Sequence, residues 1–223
     1  YCSYLHIFTM KQSTYYYLLR RGVIGGGGSK GLLDTYTGAA AAYSLRKLSS
    51  DYSGNAITVT TDGINSQDIG FSGSNLDTAA LESFAGSGDA YVSTWYDQSG
   101  NSRNFTQSTL ANMPKIVSSG TTISQNSKPI VEFDGSTRYM DISAQQTFTD
   151  EFFMTFAMRP TSNTNAYGVL LNGQGTAENR VRVYENRDTH IRVKGTIFSE
   201  PLGWDIGTYT NYTIERGSTD VIK

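Results

Sequence analysis

The chain has 223 residues, 17% of them charged, and a formal net charge of −2. That length supports one substantial core, and so weak a charge excludes the basic footprint of a nucleic-acid or anionic-membrane binder. The 23 Gly and 15 Tyr, with many Ser, Thr and Asn, favour short strands joined by turns, so the expected fold class is all-β. A single cysteine, Cys2, forms no intramolecular disulfide. No run approaches the ~20 apolar residues that a membrane helix requires.

Residues 1–21 read as an N-terminal arm. "YCSYLHIFT" has no basic region ahead of its apolar residues and makes a poor signal peptide. Met10 is the expected start of synthesis, with residues 1–9 read as upstream sequence. Tyr15-Tyr16-Tyr17-Leu18-Leu19 suits either an arm that docks on a subunit or a frayed terminus. "GVIGGGGSKG", 22–31, is a linker by composition, and it lacks the residue order of a phosphate-binding loop.

The sandwich is expected over 32–223. "GAAAAYSLRKL", 38–48, carries two conflicting signals: its alanines favour helix, while Tyr43, Leu45 and Lys47 suit a strand. In "NAITVTTDG", Ile57 and Val59 alternate with Thr58 and Thr60, and Asp62-Gly63 supplies a turn. "LDTAALESFAG" predicts the one short helix, capped by Asp77, stopped by Gly86, with Leu76, Ala80, Leu81 and Phe84 inward. Next comes "YVSTWYDQSGNSRNFTQ", 91–107, an aromatic-rich run that ends in a polar cluster. Further strands are expected in "PKIVSS", "KPIVEFDGSTRYMDIS", "EFFMTFAMRP", "AYGVLLNGQG", "NRVRVYENRDTHIRVKG" and "YTNYTIERG". Strands at roughly 8–12-residue spacing indicate a sandwich or jelly roll. Val221-Ile222-Lys223 reads as the start of another strand, which suggests the front part of a longer chain.

His6 and His190 stand apart, so neither a zinc cluster nor a Ser-His-Asp arrangement is expected. No compact Asp/Asn loop demands calcium; no cofactor is expected. Glycoside hydrolysis requires two facing carboxyl groups. Glu178, in a Gly-rich loop, is one candidate, although a solvated turn residue is the commoner identity of such a carboxylate. Asp97 and Asp134 are turn formers first. Trp204, flanked by Gly and Pro, is the candidate exposed aromatic for a sugar face, whereas Trp95 sits mid-strand and reads as core.

"AAAAYSLRKLSSDYSGNAITV", "DIGF", "LDTAALESFAGSGDAYVSTWYDQSGN" and "KPIVEFDGS" resemble concanavalin-like and laminin-G-like proteins that tailed bacteriophages encode among their virion components. "YDQSGN" followed by "TQ" is also similar to the catalytic domain of α-L-arabinofuranosidase B, another concanavalin-like sandwich. The resemblance covers residues 31–135 well and the remainder loosely. It implies a concanavalin-like jelly-roll β-sandwich in which "AAYSLRKL" is a strand paired near "ITVTT". It further implies a non-enzymatic virion module, either purely structural or adhesive, with virion proteins as partners, a homo-oligomer if it stands in a fibre, and cell-surface or plant polysaccharide as the ligand if it adheres. The alternative it implies is a secreted, retaining arabinofuranosidase. For that alternative "GTAE", 175–178, matches the family's nucleophile context at Glu178. The stretch "AYGVLLNGQ" has neither the cysteines nor the acidic residue that grip sugar in the enzymes, and the general acid falls in later sequence.

Overall fold

The computed structural model describes residues 31–142, 152–159, 167–172, 180–184, 189–193, 196–200, 210–216 and 221–222. The arm, the linker up to residue 30, Glu178 and Trp204 lie outside these residues. The chain is an all-β sandwich. Among the described residues two short helices, α1 (Leu32–Thr35) and α2 (Thr78–Ala85), accompany the strands.

The strands follow in order: β1 (Ile57–Thr60), β2 (Ser66–Ile69), β3 (Phe71–Ser72), β4 (Asn75–Leu76), β5 (Ala90–Trp95), β6 (Phe105–Thr106), β7 (Lys115–Ser118), β8 (Thr121–Thr122), β9 (Ser124–Gln125), β10 (Lys128–Pro129) and β11 (Asp141–Ile142). Then come β12 (Phe152–Met158), β13 (Tyr167–Asn172), β14 (Arg180–Tyr184), β15 (Thr189–Val193), β16 (Thr196–Glu200), β17 (Thr210–Arg216) and β18 (Val221–Ile222). The main sheet runs β11-β6-β5-β1-β2, with β7 also on β5 and β8 on β7. A second sheet is β12-β17-β18, and β13 to β16 form a meander. Among the described residues all strand pairings are antiparallel.

Alternation along β1, β5 and their neighbours sorts the main sheet into two faces, because successive strand residues point to opposite sides. The registers align Ile142, Phe105, Trp95, Ile57 and Ile69 in one row across five strands. All five belong to or pack against one core cluster. Phe156 and Met158 of β12 join the same cluster, each 2% exposed. Their burial against the main sheet makes the two layers one sandwich. Trp95, 1% exposed, meets Tyr43 edge-on at 6.5 Å between ring centroids, as its mid-strand position leads one to expect.

Helix α2 follows its sequence signals. The Asp77 carboxylate accepts from the Ala80 N–H at 3.0 Å, Leu81 and Ala85 are buried, and Gly86 ends the helix at φ +60°. Two helical features carry no such signal: α1 and a 3₁₀ turn at Leu110–Asn112. Asp34 holds α1 by accepting from the Gly31 N–H (2.7 Å), the Ser49 hydroxyl (2.6 Å) and the Ser50 N–H (2.9 Å). The Ser49 bond first, with the backbone donors, pulls Asp34 down from 3.8 to about 2. A Cβ on Gly31 would lie 2.1 Å from the Leu48 carbonyl oxygen, so only glycine fits at this position.

Segment 38–48 corrects an expectation. It is neither helix nor paired strand; its one sheet contact is an isolated bridge from Arg46 to Asn75. Yet Ala39, Ala41, Ala42, Tyr43, Ser44, Leu45 and Leu48 are buried. Buried backbone without a ladder needs other partners, and they come from the polar cluster that follows β5.

Candidate functional site

The Asp97–Asn104 cluster turns inward on segment 38–48. Asp97, 5% exposed, accepts from the N–H groups of Ala42 (2.8 Å), Ser99 (2.9 Å) and Arg103 (3.1 Å) and from the Ser99 hydroxyl (2.8 Å). Gln98 accepts from the Leu48 N–H at 2.8 Å and donates to the carbonyls of Ser44 (2.9 Å) and Arg46 (3.1 Å). The Asn101 amide donates to the Ala39 and Ala40 carbonyls, and the Arg103 guanidinium donates to Ala40 as well. The Tyr43 hydroxyl donates to the Arg103 carbonyl, and burial pushes its pKa well above the ordinary phenol value. These side chains satisfy the backbone of an irregular buried segment. Asp97 and Gln98 are occupied by the fold and offer nothing to a ligand.

The open chemistry lies on the other face of the main sheet. One residue along from the apolar row, the same registers align Asp141, Thr106, Thr94, Thr58 and Asp68. The alternation slips in β5: Ala90 and Val92 are buried, but the next buried residue is Trp95. A register shift between Thr58 and Val59 accommodates the slip, with Thr94 opposite Thr58 and Val92 opposite Val59. Ser93 is the extra residue of a β-bulge. The bulge brings consecutive residues, Ser93 and Thr94, into one groove, which a regular strand cannot do.

That groove has a volume of about 440 Å³, within the range of ligand clefts. It crosses Asp141 on β11, Thr106 on β6, Thr94 and Ser93 on β5, Thr60 on β1 and Ser66 on β2. Five strands mean four spacings, roughly 19 Å, so an extended ligand fits along it better than a compact one. Gln107, Ser108 and Met113 form one wall; Gly63 and Ile64 form the other. The Ser93 hydroxyl donates to the Thr58 carbonyl (3.2 Å) and Gln107 donates to the Tyr139 carbonyl (3.2 Å). Among the described residues, the Thr94 hydroxyl and the Asp141 carboxylate have no partner.

Both walls are stiffened. Asp62 accepts from the Ile64 N–H (2.8 Å), the Asn65 amide (2.7 Å) and the Asn65 N–H (2.8 Å). These bonds, the Ile64 one first, draw Asp62 from 3.8 down to about 2. A carboxyl whose folded pKa lies below its unfolded value stabilises above the unfolded pKa and loses that contribution as pH falls through the folded one. Between pH 4 and pH 2 the 62–65 turn is therefore expected to loosen, and faster amide exchange at Ile64 and Asn65 than in β1 checks it. On the opposite wall, Tyr139 donates its N–H to Asn112 (3.0 Å). The exposed large apolar side chains of the described residues are Ile64 and Tyr139, 87% and 49% exposed. Ile64 lines the groove, and Tyr139 stands beside it through Gln107.

Of the residues singled out in the sequence, Glu178 and Trp204 lie outside the described residues. Asp134 is a turn former: it accepts from the N–H groups of Ser136, Thr137 and Arg138 and from the Thr137 hydroxyl. Partial burial raises its pKa, but those bonds outweigh it and hold Asp134 well below the usual carboxylate range. Ser93, Thr94, Thr106 and Asp141 escaped notice. Their signal was the slip in "AYVSTW", where period-2 burial breaks at two adjacent hydroxyl residues. Among the described residues, no three His, Cys, Asp or Glu side chains come together to hold a metal ion, and no helix is long and apolar enough to cross a membrane.

No family model matches the sequence, and no curated protein does. Among solved structures the chain is similar to a mutant GH54 α-L-arabinofuranosidase soaked with 4-nitrophenyl α-L-arabinofuranoside. The identity is 14% and the TM-score 0.46, over 80% of this chain and 46% of that one. The chain thus spans about half the length of that structure.

Proposed function

We propose that the chain is a non-enzymatic binding module whose outer-face groove takes an extended glycan. The observation that carries this reading is the bulge in β5, which aligns Ser93 and Thr94 with Thr106 and Asp141 across the strands. Hydroxyl, amide and carboxylate groups on a rigid sheet suit the hydroxyls of a sugar chain, and the Tyr139 ring offers an apolar face beside them. Among the described residues the groove lining includes one carboxylate, Asp141, and a two-carboxylate hydrolysis needs a second facing it. The setting of the module, on this reading, is the phage particle implied by the sequence resemblance, with virion proteins as neighbours and surface polysaccharide as the target.

Titration of neutral oligosaccharides by calorimetry tests the reading. Wild-type protein is expected to bind without releasing new reducing ends. Replacing Ser93 and Thr94 together by Val is expected to weaken binding about tenfold, the worth of one to two hydrogen bonds. Undiminished binding in that double variant excludes the groove. Release of new reducing ends, abolished by Glu178→Gln, instead establishes the hydrolase alternative.

A further inference from the structure

We infer that Asp141 sets the charge selectivity of the groove, favouring glycans that bear amino groups and rejecting those that bear carboxylates. The inference rests on the binding-module reading above and deepens it. Among the described lining residues, Asp141 is the one charged side chain, and every other polar side chain there is a neutral hydroxyl or amide. It is exposed, and its carboxylate has no hydrogen-bond or ion-pair partner among the described residues, so they leave its charge in the groove uncompensated. The Asp62 carboxylate, which accepts from the N–H of the lining residue Ile64, places a second negative charge close to the lining.

Two described basic groups, Lys115 and Arg138, are already engaged elsewhere. Lys115 and Arg138 lie over the Tyr91 ring, 5.7 and 5.2 Å from its centroid. Lys115 is paired with Asp89 at 2.5 Å and Arg138 with Asp134 at 3.8 Å. Neither lines the groove. An acidic sugar entering along the row Asp141–Thr106–Thr94 therefore meets a like charge, with no cation among the described lining residues to receive it, and like-charge contact works against binding. An ammonium group at the same point meets a free carboxylate, whose hydrogen bonds are charge-assisted.

The test compares three probes of similar length, namely a neutral hexose oligosaccharide, a chitosan oligosaccharide and an oligogalacturonide, on wild-type protein and Asp141→Asn. Asparagine preserves size and hydrogen bonding, and the side chain it replaces has no structural partner to lose. Wild-type protein is expected to prefer the amine-bearing probe, more so at low salt, and to bind the acidic one weakest. Asp141→Asn is expected to lower the amine-to-neutral affinity ratio about tenfold and to raise the acidic-to-neutral ratio. Wild-type affinities that do not differ with probe charge, or ratios unmoved by Asp141→Asn, overturn the inference and leave the binding module standing. No binding of any probe overturns both.

Discussion

Replacing Asp97 by Asn or Ala is expected to destabilise the protein by about 3–5 kcal/mol, the range for breaking a buried charged network. Asp97 accepts four hydrogen bonds, three of them from backbone N–H groups of Ala42, Ser99 and Arg103. Alanine leaves those donors buried and unpaired, and each such donor costs about 1–3 kcal/mol. Asparagine keeps the shape but turns an N–H₂ donor toward other donors. A domain is stable by only about 5–15 kcal/mol, so either change removes a large share of the total. The measurement is a urea titration with unchanged slope and a lower midpoint. A loss below about 1 kcal/mol would mean that water replaces the carboxylate and that the cluster is not a structural clasp.

The second large effect is expected at Trp95. Trp95→Ala should cost about 3–5 kcal/mol, because truncating a buried aromatic leaves a cavity as well as forfeiting its transfer energy. Trp95 lies centrally in the apolar row, between Ile57 on β1 and Phe105 on β6. Its indole N–H is buried without a partner. Trp95→Phe therefore breaks no hydrogen bond and is expected to cost only about 1–2 kcal/mol, for lost volume alone. A loss well above about 2 kcal/mol in Trp95→Phe would show that the indole N–H is bonded after all.

Local signals carried much of the fold. Ile57 and Val59 alternating with Thr58 identified β1, and Asp77 with Gly86 bounded α2, because these cues act over a few residues. β2 was silent, since Ser-Gln-Asp-Ile has no apolar alternation to show. Segment 38–48 misled in both directions: alanine propensity and the Tyr43/Leu45 alternation are local, whereas its conformation is settled by Asp97 and Gln98, some fifty residues away. The same distance explains why Asp97 was legible as a turn former and its long reach was not. The groove was less legible still. It depends on five strands coming into register and on one bulge, and a single residue of slip exchanges the two faces of a strand.

The most direct test of the account is a ¹⁵N–¹H spectrum of the protein titrated with a neutral oligosaccharide. The binding-module reading predicts saturable shifts at Ser93, Thr94, Thr106, Asp141 and Ile64, with Asp97, Gln98 and Asn101 undisturbed. Shifts concentrated at 97–104, with the groove residues silent, would contradict it and return the ligand site to the polar cluster.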